Sequence, residues 1–128
     1  MAVVYSEDLR HARLDEITAA VGAAGLLQIY DGSRPAFGGT ATTKLAEFTL
    51  GSPFASAATG GELSPTLPSD VTALASSTAT WFRVTTSGEA AVLDGDVGSD
   101  LTLNDASIVE GGTVSVTGWT ITHGNAPA

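Results

Sequence analysis

Apolar residues in the first part of the chain recur at a spacing of three or four positions: Leu14, Ile17, Val21 and Ala24. This spacing places them on one face of a helix and predicts a helix over 7–23. Ser6 suits the N-cap position, and Gly25 suits the C-cap. Because a helix of this length is not stable alone in water, we expect its apolar face to pack against the rest of the protein.

The remainder of the chain shows short alternating or apolar runs, separated by turn residues, that are typical of β-strands. Strands are predicted at 26–30, 44–50, 79–86, 90–94, 101–104, 107–109 and 113–122, with a short strand near 62–63 inside a loop over 51–70. The apolar phase of the last strand slips at Gly118, which indicates a β-bulge or bend. The pattern predicts a mainly β fold: an antiparallel β-sandwich or small barrel with one N-terminal helix.

The length of 128 residues suits one domain. We expect an extended apolar arm over 1–5, a single β-rich domain over 6–124 and a short tail over 125–128. The first residues lack the basic start and long apolar run of a signal peptide, and no run approaches the roughly 20 apolar residues that span a bilayer. The expectation is a protein made in a cytoplasm that does not associate with a membrane.

The net charge of the chain limits the classes of partner that it can bind. Fourteen acidic residues against five basic ones give a formal net charge of -9, and the isoelectric point is near 4.2. Nucleic-acid binding requires a basic surface, so we expect no nucleic-acid partner. The chain has no cysteine, which excludes disulfides, thiolate metal sites and cysteine nucleophiles.

The densest acidic cluster of the sequence contains four aspartates: Asp94, Asp96, Asp100 and Asp105. A calcium loop is one interpretation, because hard cations take several carboxylate oxygens. The EF-hand pattern fails, since Gly98 and Ser99 stand where that loop has a ligand and a glycine, and its last position holds aspartate instead of glutamate. The other interpretation is turn chemistry along a solvated acidic edge, and we predict no metal and no cofactor.

Catalytic signals are weak. The two histidines, His11 and His123, lie far apart, and neither has a second histidine at metal-ligand spacing. The sequence contains no G-x-S-x-G elbow, no H-E-x-x-H motif and no phosphate-binding loop. We therefore predict that the protein is not an enzyme.

Five apolar or aromatic residues are candidates for contacts with another chain: Val3, Val4, Tyr5, Phe37 and Phe54. The first three form an apolar arm before the helix, which could pair with an edge strand of this chain or of a partner. The two phenylalanines lie in predicted loops among small residues. An aromatic residue there either packs back as an anchor for its loop or docks into a neighbour, and the sequence leaves both open.

Several segments together carry a resemblance to a known group of proteins. These are the helix Leu9-Arg-His-Ala-Arg-Leu-Asp-Glu-Ile17, the strand and turn Leu27-Gln-Ile-Tyr-Asp-Gly-Ser-Arg-Pro35, and the runs Ala79-Thr-Trp-Phe-Arg-Val84, Val92-Leu-Asp-Gly-Asp-Val97 and Gly118-Trp-Thr-Ile-Thr-His-Gly-Asn125. In this order they resemble small structural proteins of the virions of tailed bacteriophages and prophages. The resemblance covers most of the chain outside 51–77 and implies no catalytic residues.

The resemblance implies a virion component, and charge ranks the possible locations. A protein facing densely packed DNA inside a head would be repelled at a net charge of -9. We therefore expect a capsid decoration or cement protein on the outer head surface, with the major capsid protein and copies of itself as partners, oligomeric on the particle. The alternatives are a tail component, such as a tube, terminator or tip subunit, and a calcium-dependent adhesion module.

Overall fold

The computed structural model describes residues 6–22, 24–51, 54–55, 58 and 62–122. This part of the chain contains one helix followed by twelve strands. Their bounds are α1 (Glu7–Val21), β1 (Leu26–Tyr30), β2 (Lys44–Thr49), β3 (Glu62–Leu63), β4 (Val71–Thr72), β5 (Ser77–Thr78), β6 (Trp81–Thr85), β7 (Ala91–Asp96), β8 (Leu101–Leu103), β9 (Ser107–Ile108), β10 (Thr113–Val114), β11 (Val116–Trp119) and β12 (Ile121–Thr122). The predicted arm over 1–5 and the predicted tail over 125–128 lie outside the described residues.

Helix α1 begins where the sequence predicts. The Ser6 side chain accepts a hydrogen bond from the Leu9 amide at 3.2 Å, the bond expected of an N-cap. On the apolar face, Leu14 and Val21 are buried and Ile17 is partly buried against the core. The helix packs against β3 and β7, as its apolar face requires.

The helix ends before the predicted boundary at 23. Its C-cap is Gly22, which has a φ of 70° and donates its amide hydrogen to the Thr18 carbonyl. The left-handed conformation ends the helix there, so the assignment of the cap to Gly25 is wrong. Gly25 instead lies where the backbone passes close to Thr85, since a Cβ at this position would lie 2.8 Å from the Thr85 carbonyl oxygen. Ala24 is exposed and does not continue the apolar face.

A four-stranded antiparallel sheet, in the order β2-β1-β6-β7, forms the larger layer. Its registry pairs Leu27 with Phe48 and Val84, and Ile29 with Phe82. These apolar residues share the face that packs on the core. The opposite face is polar and aromatic, with Gln28 paired across strands to both Glu47 and Arg83.

The sequence alternation of β2 is only partly realised. The registry between β1 and β2 shifts between Ile29 and Tyr30. Leu45 and Ala46 are consecutive, yet both are fully buried. The shift leaves Leu45 out of the regular pairing, and Leu45 and Ala46 both contribute to the core. The regular alternation of the predicted strand over 44–50 is therefore interrupted at this end of β2.

The smaller layer consists of short antiparallel pairs: β3 with β12, β4 with β10, β5 with β9, and β8 with β11. The predicted strand over 113–122 is divided at Ser115 and Thr120 into three segments that pair with different partners. The registry of β11 shifts between Val116 and Gly118, which confirms the irregularity predicted at Gly118. The mainly β, antiparallel fold with one N-terminal helix is confirmed, and the two layers fit the sandwich form of that prediction.

The two layers meet in an aromatic cluster. The Trp119 ring packs edge-on against Phe54 at 5.3 Å and against Phe82 at 5.7 Å between ring centroids. All three side chains are buried. Within the described residues, no helix has the length and apolar character needed to cross a bilayer.

Candidate interaction site

The connection between β1 and β2, residues 31–43, is an ordered loop that we call the Phe37 loop. Its two ends are bonded to each other. The Asp31 amide donates to the Thr43 carbonyl at 3.3 Å, and the Thr43 amide donates to Asp31 Oδ1 at 3.1 Å. The Thr42 hydroxyl also donates to the Asp31 carbonyl. These bonds close the base of the loop.

The sheet fixes the base of the Phe37 loop in position. Trp81 Nε1 donates to the Asp31 carbonyl at 3.0 Å and lies 3.1 Å from Thr42 Oγ1. The Thr80 hydroxyl donates to the Gly32 carbonyl at 2.6 Å. Trp81 itself is fully buried and stacks on Tyr30 with 4.5 Å between ring centroids. The loop therefore rests on a rigid aromatic pair.

The tip of the Phe37 loop presents an aromatic ring to solvent. The Phe37 side chain is 62% exposed. It lies in a turn in which the Gly39 amide donates to the Ala36 carbonyl at 2.8 Å, and Gly38 has a φ of 77°. A concavity of about 270 Å³ lies beside it, with Arg34 and Asp94 in its lining. An exposed aromatic residue beside an arginine, on an already ordered loop, is the type of feature that anchors a protein partner.

A row of polar side chains crosses the sheet beneath this loop. Arg83 forms a two-pronged ion pair with Asp94, with Nε to Oδ1 at 2.8 Å and Nη2 to Oδ2 at 3.1 Å. Gln28 Nε2 donates to Glu47 Oε2 at 3.0 Å, and the Tyr30 hydroxyl donates to Gln28 Oε1 at 2.8 Å. The polar groups of this row therefore satisfy one another across the sheet.

Burial and hydrogen bonding shift the pKa values of side chains in this row. The hydrogen bond to Asp94 raises the pKa of Arg83 further above its already high ordinary value. The Arg83 guanidinium also lies 5.2 Å from the centre of the Trp81 ring, at a distance that permits a cation–π contact. Burial raises the pKa of the Tyr30 hydroxyl, which therefore stays protonated as a hydrogen-bond donor at neutral pH.

Acid is expected to weaken the fold through Glu47. Its hydrogen bond from Lys44, at 2.8 Å, is the main cause that holds the pKa of the Glu47 carboxyl below its ordinary value of 4.5. A folded-state pKa below the unfolded value stabilises the fold above the unfolded pKa, and this stabilisation is lost as pH falls through the folded value. Because the pair is partly solvated, we expect a loss of no more than about 1 kcal/mol.

The measurement is urea unfolding of the wild type and of Glu47→Gln between neutral pH and the acid limb. The variant is expected to be less stable at neutral pH and to show a flatter decline below pH 4.5. Glu62→Gln is the control, because this side chain is exposed and should leave the slope unchanged. Identical acid limbs for Glu47→Gln and the wild type would contradict the assignment.

The four aspartates of the acidic segment make different contacts. Asp94 is paired with Arg83, and Asp96 Oδ1 lies 3.5 Å from Arg34 Nε. Asp100 Oδ2 accepts the Asp96 amide and Asp105 Oδ1 accepts the Ser107 amide, each at 2.9 Å. Within the described residues, no three His, Cys, Asp or Glu side chains gather as they would around a metal ion. The contacts of Asp100 and Asp105 with backbone amides are of the kind that turns use.

The two candidate phenylalanines have different environments. Phe37 lies at an exposed loop tip, whereas Phe54 is fully buried and its ring meets Trp119. The assignment of Phe54 to an interface is therefore wrong, because a core aromatic ring is not accessible to another chain. Phe54 anchors its loop, and its carbonyl accepts the Thr66 amide at 3.1 Å. The candidates Val3, Val4 and Tyr5 lie outside the described residues.

Besides Phe37, four large apolar side chains of the described residues are exposed: Leu9, Leu67, Leu74 and Val109. The last two are the most exposed of these, at 53% and 66%, and the sequence did not indicate either of them. Val109 is the last residue of the strand predicted over 107–109, and Leu74 lies in a segment with no clear periodicity, so neither position stands out locally. The nearby turn residues Glu110-Gly-Gly112 are the one signal that could have indicated exposure at Val109.

Comparisons with known proteins found no match: no family model, no curated protein and no solved structure matches this chain. The features that bear on function are therefore those of the molecule itself. They are the ordered Phe37 loop, the acidic charge and the exposed apolar side chains.

Proposed function

We propose that the protein is a non-enzymatic structural component of a tailed-phage virion, a capsid decoration protein on the outer head surface that bridges capsid subunits. Its partners are the major capsid protein and further copies of the chain, and its location is the assembled virion. The proposal starts from the resemblance of the sequence to small virion proteins. It is supported by the Phe37 loop and by the acidic charge of the chain.

The Phe37 loop is the observation that carries the proposal. A protein that binds only an assembled lattice needs a docking element whose shape exists before binding, because ordering a loop on binding costs free energy. The base of this loop is closed by Asp31 and Thr43 and bonded to Trp81. Its tip exposes Phe37, and a buried aromatic anchor contributes more to a protein interface than most other contacts.

The charge of the chain supports the outer surface over the inner one. A net charge of -9 per copy would be repelled by densely packed DNA, whereas an outer surface contacts solvent and protein. Three of the basic residues are occupied by acidic partners within the chain, namely Arg34, Lys44 and Arg83. These pairs leave the acidic excess at the surface.

Decoration acts by mass action. A protein that binds the assembled lattice and not its separated subunits stabilises the assembled state, by an amount that grows with its free concentration over its Kd. When the protein contacts two neighbouring subunits at once, the first contact raises the effective concentration at which the second contact forms. Losing either contact therefore weakens binding strongly. The predicted arm residues Val3, Val4 and Tyr5 would supply such a second contact.

The first test is Phe37→Ala. Because the side chain is mostly exposed, the free energy of unfolding is expected to change by less than about 0.5 kcal/mol. Occupancy on particles is expected to fall by about tenfold or more, since loss of an interface aromatic anchor typically costs over 1 kcal/mol. Leu67→Ala is the control, because it removes another exposed apolar side chain, one outside the loop.

The second test locates the protein by fractionation and add-back, using virions of the phage or prophage that encodes it. The proposal expects the chain on purified heads, and expects stripped heads to lose DNA at lower temperature until the protein is added back. A protein found only on purified tails would make it a tail component. Stripped heads as heat-resistant as complete ones would exclude the decoration role.

A further inference from the structure

Two turns distant in sequence are hydrogen-bonded to each other. The Ala73 amide donates to the Gly112 carbonyl at 2.8 Å, and the Gly111 amide donates to the Ala73 carbonyl at 3.1 Å. The Glu110 amide donates to the Ser76 hydroxyl at 2.8 Å. We call the turns 73–76 and 109–112, with the groove beside them, the Leu74–Val109 surface. Its backbone is held by these hydrogen bonds and does not depend on the two apolar side chains that it exposes.

This surface combines exposed apolar side chains with a groove. Leu74 and Val109 are each more than half exposed. A groove of about 210 Å³ lies between β9 and β10, with Asp105 and Val109 in its lining and the buried Ile108 and Val114 among its walls. A groove of this size takes one or two side chains. Apolar groups left in water at such a place favour burial against a partner.

The charge at this surface is entirely negative in the segments that build it. Asp105 and Glu110 are exposed on it, and the exposed Asp70 directly precedes β4, which pairs with β10. The sequence has no lysine or arginine over 45–82 or over 84–128, so these segments supply no compensating cation. Arg83, the one basic residue between them, is occupied by Asp94.

We propose that the Leu74–Val109 surface docks a segment of a partner protein that carries lysine or arginine beside apolar side chains. The apolar part of the segment would cover Leu74 and Val109, and its cationic groups would meet Asp105 and Glu110. Self-association through this surface alone is disfavoured, since packing it on the same surface of a second copy brings like charges together. Nucleic acid does not fit, since its phosphates carry the same sign of charge.

The surface lies beside the base of the Phe37 loop. The Leu74 amide donates to the carbonyl of Leu45, two residues after the loop ends, and the Thr80 amide donates to the Tyr30 carbonyl, immediately before the loop begins. The surface and the Phe37 loop therefore adjoin the same end of β2. That the basic segment belongs to a capsid lattice rests on the proposed function. The chemistry of the docked segment, basic and apolar, does not depend on that function.

The test of the chemistry uses a blocked peptide of alternating lysine and valine, titrated into the isotope-labelled full chain and followed by amide NMR shifts. We expect saturable shifts at Leu74 and over 105–112, stronger at an ionic strength of about 0.01 M than at about 0.15 M, where the Debye length falls from about 30 Å to about 8 Å. The matched peptide with glutamate at every lysine position should produce none of these shifts.

Variants assign the contacts. The double variant Asp105→Asn with Glu110→Gln is expected to weaken peptide binding by about fivefold, because each partly exposed charge contributes modestly. Asparagine keeps the side-chain oxygen that accepts the Ser107 amide, so the turn is preserved. Val109→Ser is expected to weaken binding by about threefold through lost apolar burial. The matched control, Glu16→Gln with Glu62→Gln, removes two exposed charges elsewhere and should bind as the wild type does.

The outcomes separate this inference from the proposed function. Shifts spread over the whole acidic surface, or equal weakening by the control pair, would overturn the inference. If the wild type binds stripped heads and the Asp105–Glu110 double variant binds them equally well, the inference fails and the decoration role stands. If the peptide binds here as expected and the chain does not bind heads, the decoration role fails and the chemistry of the surface stands.

Discussion

Replacing Arg83 with alanine is expected to lower the free energy of unfolding by about 3–5 kcal/mol, the range observed when one partner of a buried ion pair is removed. The Arg83 and Asp94 side chains are only 10% and 4% exposed. Loss of the guanidinium leaves a buried carboxylate without its two hydrogen bonds and removes the cation beside Trp81. Urea unfolding at neutral pH, followed by tryptophan fluorescence, measures the effect.

The control is the double variant Arg83→Met with Asp94→Leu. Replacing both charges with apolar groups of similar volume removes the unpaired charge, so the double variant is expected to recover most of the stability lost in Arg83→Ala. A double-mutant cycle with Asp94→Asn then isolates the coupling between the two side chains. A loss below about 1 kcal/mol in Arg83→Ala would show that water screens the pair, as at an exposed site.

Phe54→Ala is expected to cost about 3–5 kcal/mol of stability, the typical loss when a fully buried phenylalanine is truncated. The ring fills the space beside Trp119, and its removal leaves a cavity where the loop is anchored. The measurement is again urea unfolding, with Phe37→Ala as the matched control. The two variants remove the same side chain from two predicted loops, yet only the buried one should destabilise the chain.

These two phenylalanine variants also distinguish anchoring from docking. At protein concentrations and temperatures where it remains folded, Phe54→Ala is expected to occupy particles as the wild type does, whereas Phe37→Ala is expected to be folded and weakly bound. If Phe54→Ala left stability unchanged and reduced occupancy, the burial of Phe54 would be contradicted and the original interface assignment restored.

Local features of the fold could be predicted from the sequence. The N-cap at Ser6, the strand Leu26–Tyr30 and the irregularity at Gly118 were all placed correctly. Each depends on residues within a few positions of one another: a cap hydrogen bond, a run of apolar residues between turns, or a slip in a two-residue period. The mainly β class with a single N-terminal helix follows from the same local signals.

The end of the helix and the burial of β2 were not predictable in the same way. Gly22 and Gly25 are both plausible caps in the sequence. Gly25 is needed instead where the backbone passes close to the Thr85 carbonyl oxygen. Likewise, the shift in registry between β1 and β2 leaves Leu45 out of the regular pairing, and Leu45 and Ala46 are both buried. Both outcomes depend on a strand distant in sequence.

The candidate site shows the same division. Phe37 and Phe54 have similar local surroundings in the sequence, and only tertiary packing makes one an exposed tip and the other a core anchor. The turns that carry Leu74 and Val109 are brought together by backbone hydrogen bonds, although the two residues lie 35 positions apart. Local pattern determines which elements form, since it acts through backbone geometry within a few residues. Exposure is decided by which distant segments cover a side chain, because burial is a property of the packed assembly of elements.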